Sequence, residues 1–213
     1  MNLIAKLPGP LLVFLGAFCL SFGGLIVKSF DGASLWQILF WRQLFFVILV
    51  GIFLLFTYKK RVFIALYESG LPGFFGGIIL GLGFSAYVFA MYNTTVANAN
   101  FIIQTQAIFL AIFGYLFLRE KISKLTLVSI ILAISGIILM VGSSLSPGQL
   151  SGNLVAFVMP ISFAVLIIIV RKYPNIDMIP LQLFAGIVAM LIGYFISTKV
   201  NISINDIILA FLA

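Results

Sequence analysis

The sequence predicts an all-α polytopic membrane protein, with seven transmembrane helices and the start of an eighth. Three observations lead there. Apolar runs at 10–27, 35–57, 71–91, 99–118, 125–141, 153–170 and 178–197 are each about 17–23 residues long, enough to cross a hydrocarbon core of about 30 Å. The cations between the runs alternate in side. With the N-terminus in the cytoplasm, Lys6, Lys59, Lys60, Arg61, Arg119, Lys121, Lys124, Arg171 and Lys172 fall inside, and Lys28 and Lys199 outside, a strong positive-inside bias. Finally, charged residues make up 8% of the 213 and hydrophobic residues 63%, with a mean hydropathy of +1.29; soluble domains carry about 25% charged residues.

Each run must be a helix, because a lone segment in lipid satisfies its backbone in no other way. The first is expected to be retained rather than cleaved as a signal peptide: Gly16-Ala17-Phe18-Cys19 sets a bulky Phe where a cleavage site needs a small residue. The second opens at Leu35-Trp36-Gln37. The third carries Gly73, Gly77, Gly81 and Ser85 at a spacing of four, a stripe that lets another backbone approach and that also suits sliding or rocking. In the fourth, Asn100, Gln104, Ala107 and Ala111 share one face, which is expected to turn away from lipid because unpaired amides in hydrocarbon cost several kcal/mol. Glu120 follows it and is expected to pair with Lys124. Residues 142–152 are uncharged, rich in Ser and Gly and contain Pro147, a linker composition. The sixth helix has Pro160 at its middle, which removes a backbone hydrogen bond and predicts a kink. The seventh repeats small residues at Gly186, Ala189 and Gly193. Trp36, Tyr58, Tyr92 and Tyr173 lie near helix ends as an interface belt. Beyond Lys199 only 207–213 is apolar, too short to span.

The linker falls after five helices, on the outside, so a following repeat enters from the opposite side. Ser21-Phe22 matches Ser162-Phe163, and Leu35-Trp36-Gln37 parallels Pro180-Leu181-Gln182. The expected organisation is therefore an incomplete inverted repeat of five plus five helices. A first repeat occupies 1–142, an outer linker 143–152 and an incomplete second repeat 153–213.

Composition excludes several functions. The net charge of +7 is dispersed at helix ends, which reports topology and headgroup contact rather than nucleic-acid binding. One cysteine, Cys19, and no histidine leave no disulfide and no zinc or haem ligand set. Asp31, Glu68, Glu120, Asp177 and Asp206 all sit in loops or at helix ends, so no buried carboxylate offers proton coupling, and an intramembrane enzyme lacks a base or nucleophile. A retinal-type protein needs a Lys within the seventh helix, where none exists. Arg42 stands alone as an ionisable residue well inside a helix, about 10 Å from its outer end, and such a residue marks a pathway or ligand site by default. Its counterpart in the second repeat is Ile187. Ser21, Ser85, Tyr87, Asn100, Gln104 and Gln106 lie in the same layer, and Trp41 is beside Arg42. The expected substrate wall is Arg42, Trp41, Tyr87, Asn100, Gln104 and Ser21.

The run Ala86-Tyr87-Val88-Phe89-Ala90-Met91-Tyr92-Asn93-Thr94-Thr95-Val96-Ala97-Asn98-Ala99, the close Leu116-Phe117-Leu118-Arg119-Glu120-Lys121, Arg42 in the second helix, and Arg171-Lys172 with Pro180 beyond it resemble the EamA-like drug/metabolite transporter family. That resemblance implies ten helices as two inverted halves and a permease exporting small metabolites such as amino acids by alternating access. It also implies a gating role for Glu120, while packing or gating roles for Gly77, Gly81 and Pro160 are expected from the small-residue stripe and the kink. Against it, this chain lacks most of helix 8 and all of helices 9 and 10, and truncation is the expected reason. The alternative is an assembly or scaffolding subunit completed by a partner. No cofactor is expected; the partners are the inner-membrane bilayer and a small-molecule substrate, with a homodimer left open.

Single cysteines on a Cys19-replaced background test the orientation. Lys60→Cys is expected to react with an impermeant thiol reagent only from the cytoplasmic side, and labelling from outside intact cells would reverse the topology.

Overall fold

The computed structural model describes residues 8–143 and 149–212. These are mostly helical, with no strand among them; Lys6 and residues 144–148 of the expected linker lie outside them, as does the side chain of Cys19. Eight helices of nine residues or more lie among the described residues: α1 (Gly9–Lys28), α2 (Leu35–Tyr58), α3 (Gly70–Asn93), α4 (Val96–Leu118), α5 (Lys124–Ser143), α6 (Leu150–Lys172), α7 (Leu181–Ile196) and α8 (Ile204–Leu212). Five segments among the described residues are long and apolar enough to cross a membrane: α1, α3, α4, α6, and α2 together with the short helix Val62–Glu68 that follows it. Lys124–Leu139 of α5 and all of α7 are apolar but shorter, and α8 has nine residues.

Local chemistry sets the boundaries. Ser34 caps α2 with a capping box: its hydroxyl accepts from the Gln37 N–H at 3.4 Å, and its own N–H donates to Gln37 Oε1 at 2.8 Å. Thr95 caps α4 by accepting from the Asn98 N–H at 3.1 Å. Three helices are interrupted: α1 at Ser21–Phe22, α4 at Gln104–Thr105 and α6 at Phe157. The last break falls one turn before Pro160, because proline has no N–H to offer the carbonyl of Ala156.

The helices alternate in direction. Lys28 at the end of α1 donates to the Tyr92 carbonyl at the end of α3, 3.2 Å. Gly152 at the start of α6 lies against Asn93 and Thr94. The end holding Lys59–Arg61, Arg119–Lys124 and Arg171–Lys172 is thus the basic end, and α6 runs opposite to α1.

Helix α3 is the hub. One side meets α7: a Cβ on Gly77 would lie 3.1 Å from the Leu181 carbonyl oxygen, and one on Gly81 2.7 Å from that of Ala185. Another side meets α6, where a Cβ on Gly83 would come within 3.1 Å of Ser162 Cβ. Helix α7 then turns Gly186 and Gly193 not to α3 but to α2, where a Cβ on Gly193 would lie 2.7 Å from the Phe40 backbone nitrogen. Buried residues gather in three clusters along α3: Val27, Met91, Ala99, Ile102 and Ala156 near the end away from the cations; Leu35, Ile38, Leu39, Val88 and Ala189 beside them; and Leu80, Leu166, Leu181 and Ala185 deeper.

One expectation is corrected. Glu120 does not pair with Lys124, because Arg119 takes a left-handed conformation that ends α4 and the next helix starts only at Lys124. The i,i+4 register does not exist there, and Glu120 reaches Arg171 instead, at 2.9 Å.

Since Gly193 touches backbone, Gly193→Val is expected to lower resistance to SDS-induced unfolding by about 1–3 kcal/mol, the cost of overpacking. Gly51→Ala, with nothing within 4 Å of the added atom, is expected to leave it unchanged.

Candidate functional site

The centre of the site is a cation on an aromatic face. Arg42 projects from α2 so that its guanidinium carbon lies 4.9 Å from the ring centroid of Tyr87 on α3, within cation–π range. Tyr87 packs against two of the buried clusters at once, and a Cβ on Gly23 of α1 would lie 3.0 Å from its hydroxyl oxygen. Three helices therefore meet at this ring. Gln43, the next residue on α2, is buried at 3% exposure, and its amide oxygen accepts no hydrogen bond from the described residues. It falls between Phe40 and Val47, which touch Gly193 and Gly186 of α7. Helix α2 thus carries a cation on its side towards α3 and a buried acceptor on its side towards α7, each in a mostly apolar surround of the kind that small-molecule sites have.

A second polar focus lies at the end away from the cations. Thr94 donates its hydroxyl proton to Asn153 Oδ1 at 2.6 Å, and both are buried. Asn98 is buried beside α6 as well.

Of the residues expected to form one wall, the structure joins Arg42 and Tyr87 and distributes the rest. Trp41 donates its indole N–H to the Val200 carbonyl at 2.7 Å, on the side of α2 that meets the segment before α8. Ser21 is exposed and donates to the Phe18 carbonyl at 2.6 Å. Asn100 and Gln104 are exposed. Gln104 lines a groove of about 620 Å³ between α4 and α5 with Phe101, Thr105, Ala133 and Gly136. The face of α4 that turns inward is the other one, Ala99, Ile102, Thr105 and Ile108, because apolar contact with Met91 and Ala156 decides its rotation. Gly77 and Gly81 are close-packed on α7, Pro160 is buried, and Glu120 stands at the basic end. Among the described residues no group of three His, Cys, Asp or Glu could hold a metal.

Gly23, Gln43, Thr94 and Asn153 escaped the sequence reading. The signals were present: a Gly23-Gly24 pair within an apolar helix, and amides at 43 and 153 inside spans where an unpaired amide is costly.

The profile of the EamA-like transporter family matches residues 7–142, more than half of the chain. The chain belongs to the EamA-like transporter family. It is therefore a member of the drug/metabolite transporter superfamily and a multi-pass membrane protein, and it carries the fold of a membrane transporter of that type. No curated protein and no solved structure matches it. In this EamA-like chain the matched segment contains Arg42, Tyr87, Gly23 and the α4 groove, so the whole focus lies within it.

Thr94→Val removes the donor to a buried amide. This is expected to cost about 1–3 kcal/mol of stability, read as a lower SDS unfolding midpoint, whereas Ser129→Ala on the exposed face of α5 should leave it unchanged.

Proposed function

We propose that this protein is a permease that moves a small polar or amphipathic metabolite, such as an amino acid, outward across the inner membrane by alternating access. Its N-terminus lies in the cytoplasm and the basic end faces inward. Residues 1–142 form a first five-helix repeat, 143–152 an outer linker and 153–213 an incomplete, inverted second repeat, which makes seven spans plus the opening of an eighth in all. Support for inversion comes from α6, which starts at the end where α1 finishes. The protein performs no covalent chemistry on its cargo.

The observation that carries the proposal is Arg42 held over Tyr87 inside a span. A guanidinium is always charged and presents a planar fork of donors that matches a carboxylate. Placing it in the membrane is costly, and a cargo bearing a carboxylate offsets that cost. Tyr87 fixes the plane of the fork, and Gln43 adds an acceptor suited to an ammonium or amide N–H. Gln104 and Asn100 serve as a separate polar station along the α4–α5 groove. Trp41 and Ser21, each bonded to a carbonyl, shape the walls. Gly77, Gly81 and the broken helix at Pro160 allow α6 and α7 to rock against α3.

At equal membrane abundance, Arg42→Ala is expected to lower efflux of a carboxylate-bearing amino acid by about tenfold or more, the worth of charge-assisted hydrogen bonds. Arg42→Lys should recover only part, since the fork is lost. Undiminished efflux by Arg42→Leu would reduce Arg42 to an anchor.

A further inference from the structure

Two residues other than glycine have positive φ among the described residues, Lys59 at 52° and Arg119 at 56°. Side chains rarely adopt this region, and it persists where surrounding contacts over-determine it. Each stands next to a side chain that reaches across to the segment joining α6 to α7. Beside Lys59, the Tyr58 hydroxyl donates to Asp177 Oδ2. Beside Arg119, Arg171 Nη1 donates to both carboxylate oxygens of Glu120, at 2.9 and 3.0 Å. Arg171 lies in the last turn of α6 and Asp177 four residues before α7, so the connecting segment is gripped near both ends.

Both grips are built rather than incidental. The Glu120 N–H donates to the Gly114 carbonyl at 3.1 Å, and its carboxylate folds onto the last turn of α4, where a Cβ on Gly114 would lie 2.9 Å from Oε2. Only glycine leaves that space. Asp177 is oriented by the Ile179 N–H, which donates to its Oδ1 at 3.0 Å. Two open clefts run along the connecting segment. One of about 640 Å³ is lined by Tyr58, Arg61, Glu68, Asn175 and Asp177; one of about 430 Å³ is lined by Leu166, Val170, Met178 and Gln182.

The two ends of the molecule are fastened differently. At the far end no fastening among the described residues pairs two opposite charges: Trp41 on Val200, Gln37 on Asn201, Thr94 on Asn153, Lys28 on the Tyr92 carbonyl and the Asp31 N–H on Asp206. Glu120–Arg171 is the one ion pair among the described residues, and it is half-exposed, at 45% and 51%. A pair so placed is weak and screened by salt, and the turns beside it are conformationally disfavoured. These are properties of a contact that opens, in contrast to the glycine seams on α3.

We propose that Glu120–Arg171 and Tyr58–Asp177 form a double clasp that pins the α6–α7 segment at the basic end, and that its release widens these clefts to ligand from that end. As an inner gate, this rests on the transport function proposed above.

The test uses the full chain with Cys19 replaced and Gln182→Cys placed in the smaller cleft, labelled by an impermeant maleimide in inside-out vesicles. Glu120→Gln and Arg171→Gln are each expected to raise the labelling rate roughly fivefold, the worth of a partly exposed ion pair. The double variant should label no faster than either, and Tyr58→Phe should raise the rate further. High salt should speed labelling of the parent but not of Glu120→Gln. Unchanged rates in the single variants, additive rates in the double, or a salt response independent of Glu120 would overturn the clasp. Efflux measured in parallel separates the two proposals. A labelling response without flux in the parent removes the transport function and keeps the clasp; flux without a labelling response does the reverse.

Discussion

The structure depends on the closeness with which α6 and α7 reach the backbone of α3. In a bilayer, burial of apolar surface does not drive helices together, since lipid is as apolar as leucine; association rests on packing and interhelical hydrogen bonds. The glycines of α3 supply the packing, with Gly81 leaving less than the width of a methyl group between its Cα and the Ala185 carbonyl of α7. With that seam in place, Val88 and Ala189 join the cluster under Leu35 and Ile38. Helix α2 is then fixed against both α3 and α7. The Arg42–Tyr87 contact and the reach of Tyr58 to Asp177 both follow from this placement of α2.

Arginine inside a span is expensive, about 2.5–3.5 kcal/mol at a helix centre by insertion measurements. A cation–π contact contributes about 0.5–2 kcal/mol depending on desolvation, and Tyr87 offsets that share of the cost. The same comparison sets the two ends of the molecule apart. At the far end the bonds of Trp41 and Thr94 are short and at least partly buried, while the ion pair at the basic end is weak, half-exposed and adjoins a disfavoured turn at Arg119. A transporter requires such unequal fastenings if its ends are to open in turn.

The helices were legible because the signals for them are local: apolar length, capping residues, and cations at the ends. Which faces meet was only half legible. The stripe Gly77–Gly81 announces a close approach, but Gly186 and Gly193 of α7 carry the same signal and pack against a different helix. Arg42 and Tyr87 were legible as residues that lipid would penalise, and depth along each helix placed them together. Asn100 and Gln104 share that depth, but the rotation of α4 depends on Ala99 and Ile102 packing against Met91 and Ala156, a long-range contact that periodicity alone does not reveal. Glu120 was misassigned for a backbone reason: a helical spacing was assumed across a residue, Arg119, whose left-handed turn ends the helix.

The hub role of α3 is open to one direct measurement. With Cys19 replaced and a protease site in the 142–152 linker, Gly83→Cys and Ser162→Cys place two Cβ atoms about 3.1 Å apart, close to the span that a disulfide bridges. After mild oxidation in native membranes and proteolysis, the two fragments should migrate as one band that reduction separates. Fragments that remain separate under oxidation, in a chain present at normal abundance, would contradict the packing of α6 on α3 and the account built on it.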